Sequence, residues 1–456
     1  MTEKRQKELS SFKYMLILTI PIFIELLLQL VVGYCDQIMM SRWQNAVNGI
    51  TNANVVINMV LNFFIIFSSA SIILITQYKG SRDEKREKSI YSTAFFFNTI
   101  LSIIMSLVIV FLSKYYLKAI NTPQSALNDA ILYSMICGSS VLFQVMATTL
   151  SSFLKANNLM KESMITNIIM NILNIIGNFI LINIFAKIDL PIIGVALSSS
   201  ISRIIGFIIL LIIYIKKIKI KLSFKEFIKN KKALKMLIKV GIPSGGEALS
   251  YQASQVIIQL IVNDIVIYND NNIEMGNIKT YASMFALVTY LFVNAISQAM
   301  QVIIGEQLGA GLTKDVDKKV KQTRNISIIS NLLFSLLFFL LSDYLFMLFK
   351  VTDPQLLKIA KLVMGIEIFL EFGRAINVVY VRALQTSGDV LFPTITAIIF
   401  CWSVAVLGSY ILGGNVLKLG IPGVWIAMAI DEIIRAFIFI FRWHKGKWKN
   451  FNLALQ

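Results

Sequence analysis

Carboxylates inside apolar stretches are the residues of this sequence best placed to do chemistry. Residues 20–37, IPIFIELLLQLVVGYCDQ, are long and apolar enough to lie within a bilayer, yet they carry Glu25 and Asp36. An ionised carboxylate at the bilayer centre costs about 2.5 to 3.5 kcal/mol even on the lenient insertion scale. Such a group can bind a metal cation together with amide and hydroxyl oxygens, or take a proton because burial disfavours its charge. Either event removes a charge and lets nearby helices repack. In a helix, Glu25 and Asp36 lie within roughly 20° of one face and about 16 Å apart along the axis, with Gln29 one turn after Glu25. Further candidates are Glu247 and Tyr251, on a stretch that opens IPSGGE, and Glu367 and Glu371 in IEIFLEFGR. Asn174 and Asn178, at i and i+4, present amide oxygens on one helix face, the arrangement that hard cations accept.

These groups need an apolar frame, and composition supplies one. Of 456 residues, 56% are hydrophobic and 15% charged, and the charges are crowded into short segments. Apolar runs of roughly twenty residues recur, each about long enough to cross a bilayer core. Twelve spans are expected, near 14–40, 50–78, 90–113, 129–154, 163–186, 191–215, 238–268, 278–305, 323–349, 358–384, 391–413 and 421–442. The fold class is therefore an all-α polytopic membrane protein. The basic N-terminus is read as leading into a retained first helix rather than a signal peptide.

Lys and Arg fix the expected orientation. KGSRDEKREK (79–88), the stretch 216–235 and TKDVDKKVKQTR (313–324) fall on the same side as both basic termini. The opposite connections, such as NDNNIEMGN (269–277), carry almost no positive charge. Both termini are expected in the cytoplasm, in the plasma membrane. Orientation and anionic lipid account for the net charge of +18, so no nucleic-acid partner is expected.

The chain also repeats itself. Span 1 opens IPIFIE (20–25) and span 7 opens IPSGGE (242–247), each with Glu four residues after Pro. Spans 4 and 10 end in FLKANN and RALQTSGD. We read an N-terminal lobe of six helices (1–215), a basic linker (216–236) and a C-terminal lobe of six helices (237–456). Parallel repeats of this kind are a transporter plan with the substrate site between the halves.

The order of several motifs resembles the multidrug and toxic compound extrusion (MATE) family over nearly the whole length. They are Pro21 with GYCDQIMM, NILNIIGNFILI (171–182), GVALSSSISR (194–203), VGIPSGGE (240–247), VRALQTSGDVLFP (381–393) and the closing GVWIAMAIDEIIRAFIFIFRWHKGKW (423–448). The resemblance implies an antiporter that expels amphipathic, often cationic drugs and toxic compounds by alternating access, in exchange for Na⁺ or H⁺. It implies a cation-coupling site at Asp36, Asn174 and Asn178, which would ligate Na⁺ in a sodium-coupled member. Many relatives have Asp where this chain has Asn178. Glu25, Gln29, Glu247, Tyr251, Glu367 and Glu371 are assigned to the substrate cavity. A monomer is expected, with no cofactor besides the coupling ion.

The plainer alternatives are structural. Glu25 can pair with a neighbouring helix, the asparagines can bond helix to helix, and Glu371 can pair with Arg374 at i,i+3. Asp431, Glu432 and Arg435 are read as tying the last helix to its neighbours. No GxxxxGK[ST] loop occurs and no nucleophile with a base is visible, so neither an ATP-driven pump nor an enzyme is expected. The rival is a flippase for lipid-linked saccharides of similar plan, which would favour a cationic cavity. The charges here are mainly acidic.

Overall fold

A computed structural model describes residues 2–120, 122–268, 273–414, 416–451 and 453. Within its helices the side chains of residues 32–34, 36, 37, 44, 45, 266–268 and 273–275 are outside the described set. Among the described residues there is no strand, and twelve long helical segments match the twelve expected spans. We number them α1 (Phe12–Met39), α2 (Gln44–Ser81), α3 (Glu84–Ala119), α4 (Gln124–Ala156), α5 (Met160–Ala186) and α6 (Pro191–Lys217) in the first half. The second half holds α7 (Lys231–Tyr268), α8 (Ile273–Gly309), α9 (Thr313–Leu340), α10 (Pro354–Ser387), α11 (Leu391–Leu412) and α12 (Gly420–His444).

Among the described residues, nine of these are long and apolar enough to cross a membrane. Two of the remaining three, α10 and α12, carry in their middles the charges singled out above: Glu367, Glu371 and Arg374, and Asp431, Glu432 and Arg435.

The helices outrun the apolar stretches at their basic-loop ends. The segment TKDVDKKVKQTR, expected as a connection, is instead the first turns of α9. It has no Gly or Pro to break a helix, and Asp317 and Lys321 pair across one turn at 2.8 Å. Hydropathy marks where lipid ends, but a helix ends where its last carbonyls find other partners. That happens at Gly388, φ +97°, after α10, and at the matching place after α4, where Asn158 stands at φ +63°. At the start of α3, Asp83 accepts from the Arg86 N–H at 3.0 Å. Inside α11, residues Cys401–Val406 widen into a π-helical turn, the kind of local rearrangement often kept near functional groups.

The chain divides into two compact units, Ile20–Gly241 and Ile242–Gln456 with Met1–Thr19. Residues 1–19, which the repeat groups with the first half, thus belong by their contacts to the second unit. Both divisions fall two residues before a proline inside a helix, Pro21 in α1 and Pro243 in α7. In the first unit α4 is central, packing on α2, α3 and α6; in the second, α10 packs on α8, α9 and α12. The same close approach recurs in each. A Cβ on Gly194 at the start of α6 would meet the Leu181 backbone at 2.6 Å, and one on Gly423 of α12 the Leu412 backbone at 2.6 Å.

Candidate functional site

In the first unit, Asn174 and Asn178 are both buried on one face of α5. Small residues let α6 come close enough to bond Asn174: Gly177 leaves room for the Ser198 hydroxyl, whose Oγ would stand 2.5 Å from a Cβ there. Ser198 Oγ donates to the Asn174 carbonyl at 2.7 Å, and Asn174 Nδ2 lies 3.1 Å from Ser199 Oγ. Asn174 Oδ1 is buried and accepts no hydrogen bond among the described residues. An amide oxygen without a donor, next to serine hydroxyls, is an arrangement able to ligate a hard cation. Asp36, the carboxylate assigned to the same site, lies on α1, and its side chain is outside the described residues.

Glu25 is also buried, but it has its own partners. Lys155 Nζ, at the end of α4, donates to Glu25 Oε1 at 2.9 Å, and the Ser163 hydroxyl to Oε2 at 3.4 Å. Gln29 on the next turn is exposed.

The second half repeats this contact with a different donor. Gln385, at the end of α10, donates to Glu247 Oε2 at 2.9 Å. Lys155 follows Leu154 in FLKANN as Gln385 follows Leu384 in RALQTSGD. The two proline-following glutamates therefore meet equivalent positions, one charged and one neutral. Tyr251, one turn after Glu247, is half-buried, and its carbonyl accepts from Ser254 at 2.7 Å.

Deeper in the second unit is a network of ionisable groups. Glu371, fully buried, pairs with Arg374 on its own helix and accepts from Asn331 Nδ2 of α9 at 2.6 Å. Glu367 accepts from Trp425 Nε1 at 2.6 Å, while its other oxygen stands 3.9 Å from Arg374 Nη1. Arg374 Nε reaches 3.7 Å from Glu432 of α12, which accepts from Asn377 at 2.6 Å and pairs with Arg435 at 3.0 Å. Asp431 pairs with Arg435 at 2.5 Å. A third guanidinium, Arg382, donates to Asn294 at 2.7 Å and Gln301 at 3.1 Å of α8.

Among the intramembrane groups just named, Glu247, Glu367, Glu371, Asp431 and Glu432 thus outnumber Arg374, Arg382 and Arg435. Such a set balances by binding cations or by holding protons. Of the expected residues, the structure joins Glu367 and Glu371 in one network, Asn174 and Asn178 on one face, and gives Glu25 and Glu247 separate partners. Sequence reasoning missed Lys155, Gln385 and Arg382, although all three stand in segments quoted for the repeat or the family likeness.

A multi-pass helical membrane protein built as a duplicated six-helix frame, with charges kept inside its spans, is a transporter by class. Comparison then names the family. The MatE profile matches residues 21–180 and 248–411, and the chain belongs to this family of multidrug and toxic compound extrusion transporters. It is 31% identical to an uncharacterized transporter, YisQ, of Bacillus subtilis, over 96% of this chain and 95% of that one. It is 24% identical to a probable multidrug resistance protein, YoeA, of the same organism, over 98% and 96% of the two chains. A crystal structure of a MATE protein in a bent conformation shares the fold, with a TM-score of 0.86 and 16% identity over 100% of both chains.

Proposed function

We propose that this protein is a cation-coupled antiporter of the plasma membrane that exports amphipathic, mainly cationic organic compounds by alternating access. The excess of carboxylates over guanidinium groups in the second unit is the observation that carries this reading. A cationic cargo is attracted by such a set, and the pyrophosphate of a lipid-linked saccharide is repelled. Arg203, a half-buried cation of the first unit, donates to the Cys137 carbonyl at 3.2 Å and Ser140 Oγ at 3.0 Å rather than to a carboxylate among the described residues. Family membership supports efflux, and the relative YoeA is named for multidrug resistance.

Asp36 is the coupling carboxylate in this proposal, with Asn174 and Asn178 supplying neutral oxygens to Na⁺ or lining the route of a proton. The unpartnered Asn174 oxygen supports a ligand role. Glu367 and Glu371 hold the second unit's charge balance, and the basic loops with both termini face the cytoplasm. The coupling ion is the open choice, and experiment decides it. Ethidium efflux is followed from proteoliposomes under an imposed Na⁺ gradient or an imposed proton gradient, with Asp36→Asn alongside. Drive by one gradient, lost in the variant, is expected and names the ion. Absence of efflux under both gradients transfers the assignment to a lipid-saccharide flippase.

A further inference from the structure

Away from the intramembrane charges, the second unit holds a cavity of about 170 Å³ where the start of α9 meets the end of α12. Its wall is the parallel pair Trp443 and Trp448, with ring centroids 4.2 Å apart and planes 9° from parallel. Both rings are held by their own N–H groups. Trp443 Nε1 donates to Asp317 Oδ1 at 2.9 Å, and Trp448 Nε1 donates to the Trp443 carbonyl at 3.1 Å. Gly446, at φ +67°, reverses the chain after α12 and brings Lys449 back, its ammonium 5.6 Å from the Trp448 ring centre. The cavity therefore sits over a buried, stacked indole pair held in place by its own hydrogen bonds.

Its charge is one-sided. Lys314, Lys321 and Lys449 line it, against Asp317 as its one lining carboxylate. Asp317 is already satisfied by Lys321 at 2.8 Å and by the indole. Lys314 and Lys449 are exposed and form no ion pair among the described residues. Three ammonium groups over one neutralised carboxylate leave a surplus of two positive charges, before His444 on the same rim is counted. A cavity of this polarity repels the organic cations proposed as cargo, and its volume is several times the roughly 30 Å³ of a water molecule.

We propose that this cavity binds a phosphate group, the shared chemistry of an anionic phospholipid headgroup and of soluble phosphate. Lys314 and Lys449 contact its oxygens. The lipid source follows from position, because basic pockets at the cytoplasmic ends of membrane helices recruit anionic headgroups. That part rests on the orientation proposed above, whereas the anion chemistry stands without it.

Purified full-length protein in a neutral detergent is titrated with short-chain phosphatidylglycerol, short-chain phosphatidylcholine or sodium phosphate. Tryptophan fluorescence is the readout, and wild type is compared with Lys314→Gln/Lys449→Gln. Saturable binding of phosphatidylglycerol but not phosphatidylcholine is expected, weakened roughly twenty-five-fold in the double variant at about fivefold per lysine. Equal binding of sodium phosphate assigns the site to a soluble anion. No saturable response to either anion, or the same affinity in wild type and variant, overturns the proposal. Both lysines are exposed, so the variant is expected to fold, and a matching circular-dichroism melt verifies it. Ethidium efflux is scored separately, so failure of the transport reading leaves this outcome legible.

Discussion

Nine residues after the glycine that opens α6, the first unit has Arg203; nine residues after the matching glycine of α12, the second has Glu432. Arg203 turns to the central helix of its unit and donates to a carbonyl and a serine of α4. Glu432 turns to the central helix of its own, accepts from Asn377 and stands 3.7 Å from Arg374 of α10. Around Arg203 the first unit adds neutral groups: Asn174, Asn178 and serines 198–200 and 202. Around Glu432 the second adds Glu367, Glu371, Asp431 and Arg435. The frame is the same down to the two glycine contacts, but its polar content is opposite. A duplicated fold can therefore specialise each copy through side chains, because helix packing is fixed by small residues and apolar faces that the polar positions do not disturb. Neutral oxygens suit a small ion, and a surplus of carboxylates suits exchange of a proton or a cationic cargo.

The largest effect is expected where the first unit's neutral set would lose its carboxylate. Asp36→Asn should bring gradient-driven ethidium efflux to the empty-liposome level, with unchanged membrane insertion measured by fractionation; retained coupled efflux breaks the assignment. Next, Glu371→Ala should destabilise the second unit by about 3 kcal/mol, because it removes the nearest of the three carboxylates around Arg374. The corresponding change in the first unit, Ser140→Ala opposite Arg203, should cost about 1 kcal/mol, since the Cys137 carbonyl still accepts. Denaturation in mild detergent compares the two, and similar losses would mean that the units do not differ electrostatically.

Gly194→Ala and Gly423→Ala test the shared frame. Each methyl would strike backbone at 2.6 Å, so both should cost about 1 to 3 kcal/mol, and by similar amounts. A large loss in only one would show that the helix pairs are not equivalent. The smallest effect belongs to Lys155→Gln, which gives Glu25 the donor that Glu247 already has. It should cost about 1 kcal/mol, and less than Lys155→Leu, in the same denaturation assay.

Most of the twelve spans were legible because lipid demands a long apolar run, and α10 and α12 kept enough of one to be read despite the charges in their middles. Their ends were not, as the charged start of α9 shows, since helical hydrogen bonding continues past the lipid. The pair Glu371–Arg374 could be read from its spacing on one helix. Lys155 could not be matched to Glu25, because the two are 130 residues apart and a lysine at the end of a span reads as an interfacial residue. Arg382 escaped in the same way: its partners Asn294 and Gln301 lie on α8, where periodicity alone gives no pairing.

The contacts that gather residues 1–19 into the second unit concern the order in which the chain is made. The short helix Glu3–Ser10 precedes α1, and Arg5 grips Glu306 through both nitrogens of a fork at 2.9 and 2.8 Å. That contact holds the Arg5 guanidinium well above its ordinary range, and Lys319 caps the end of the short helix through the Ser10 carbonyl at 3.0 Å. These partners lie about 300 residues downstream, so at roughly 5 to 20 residues per second they leave the ribosome on the order of 15 to 60 seconds after Arg5 does. A segment made early is thus placed only after α8 and the start of α9 have emerged.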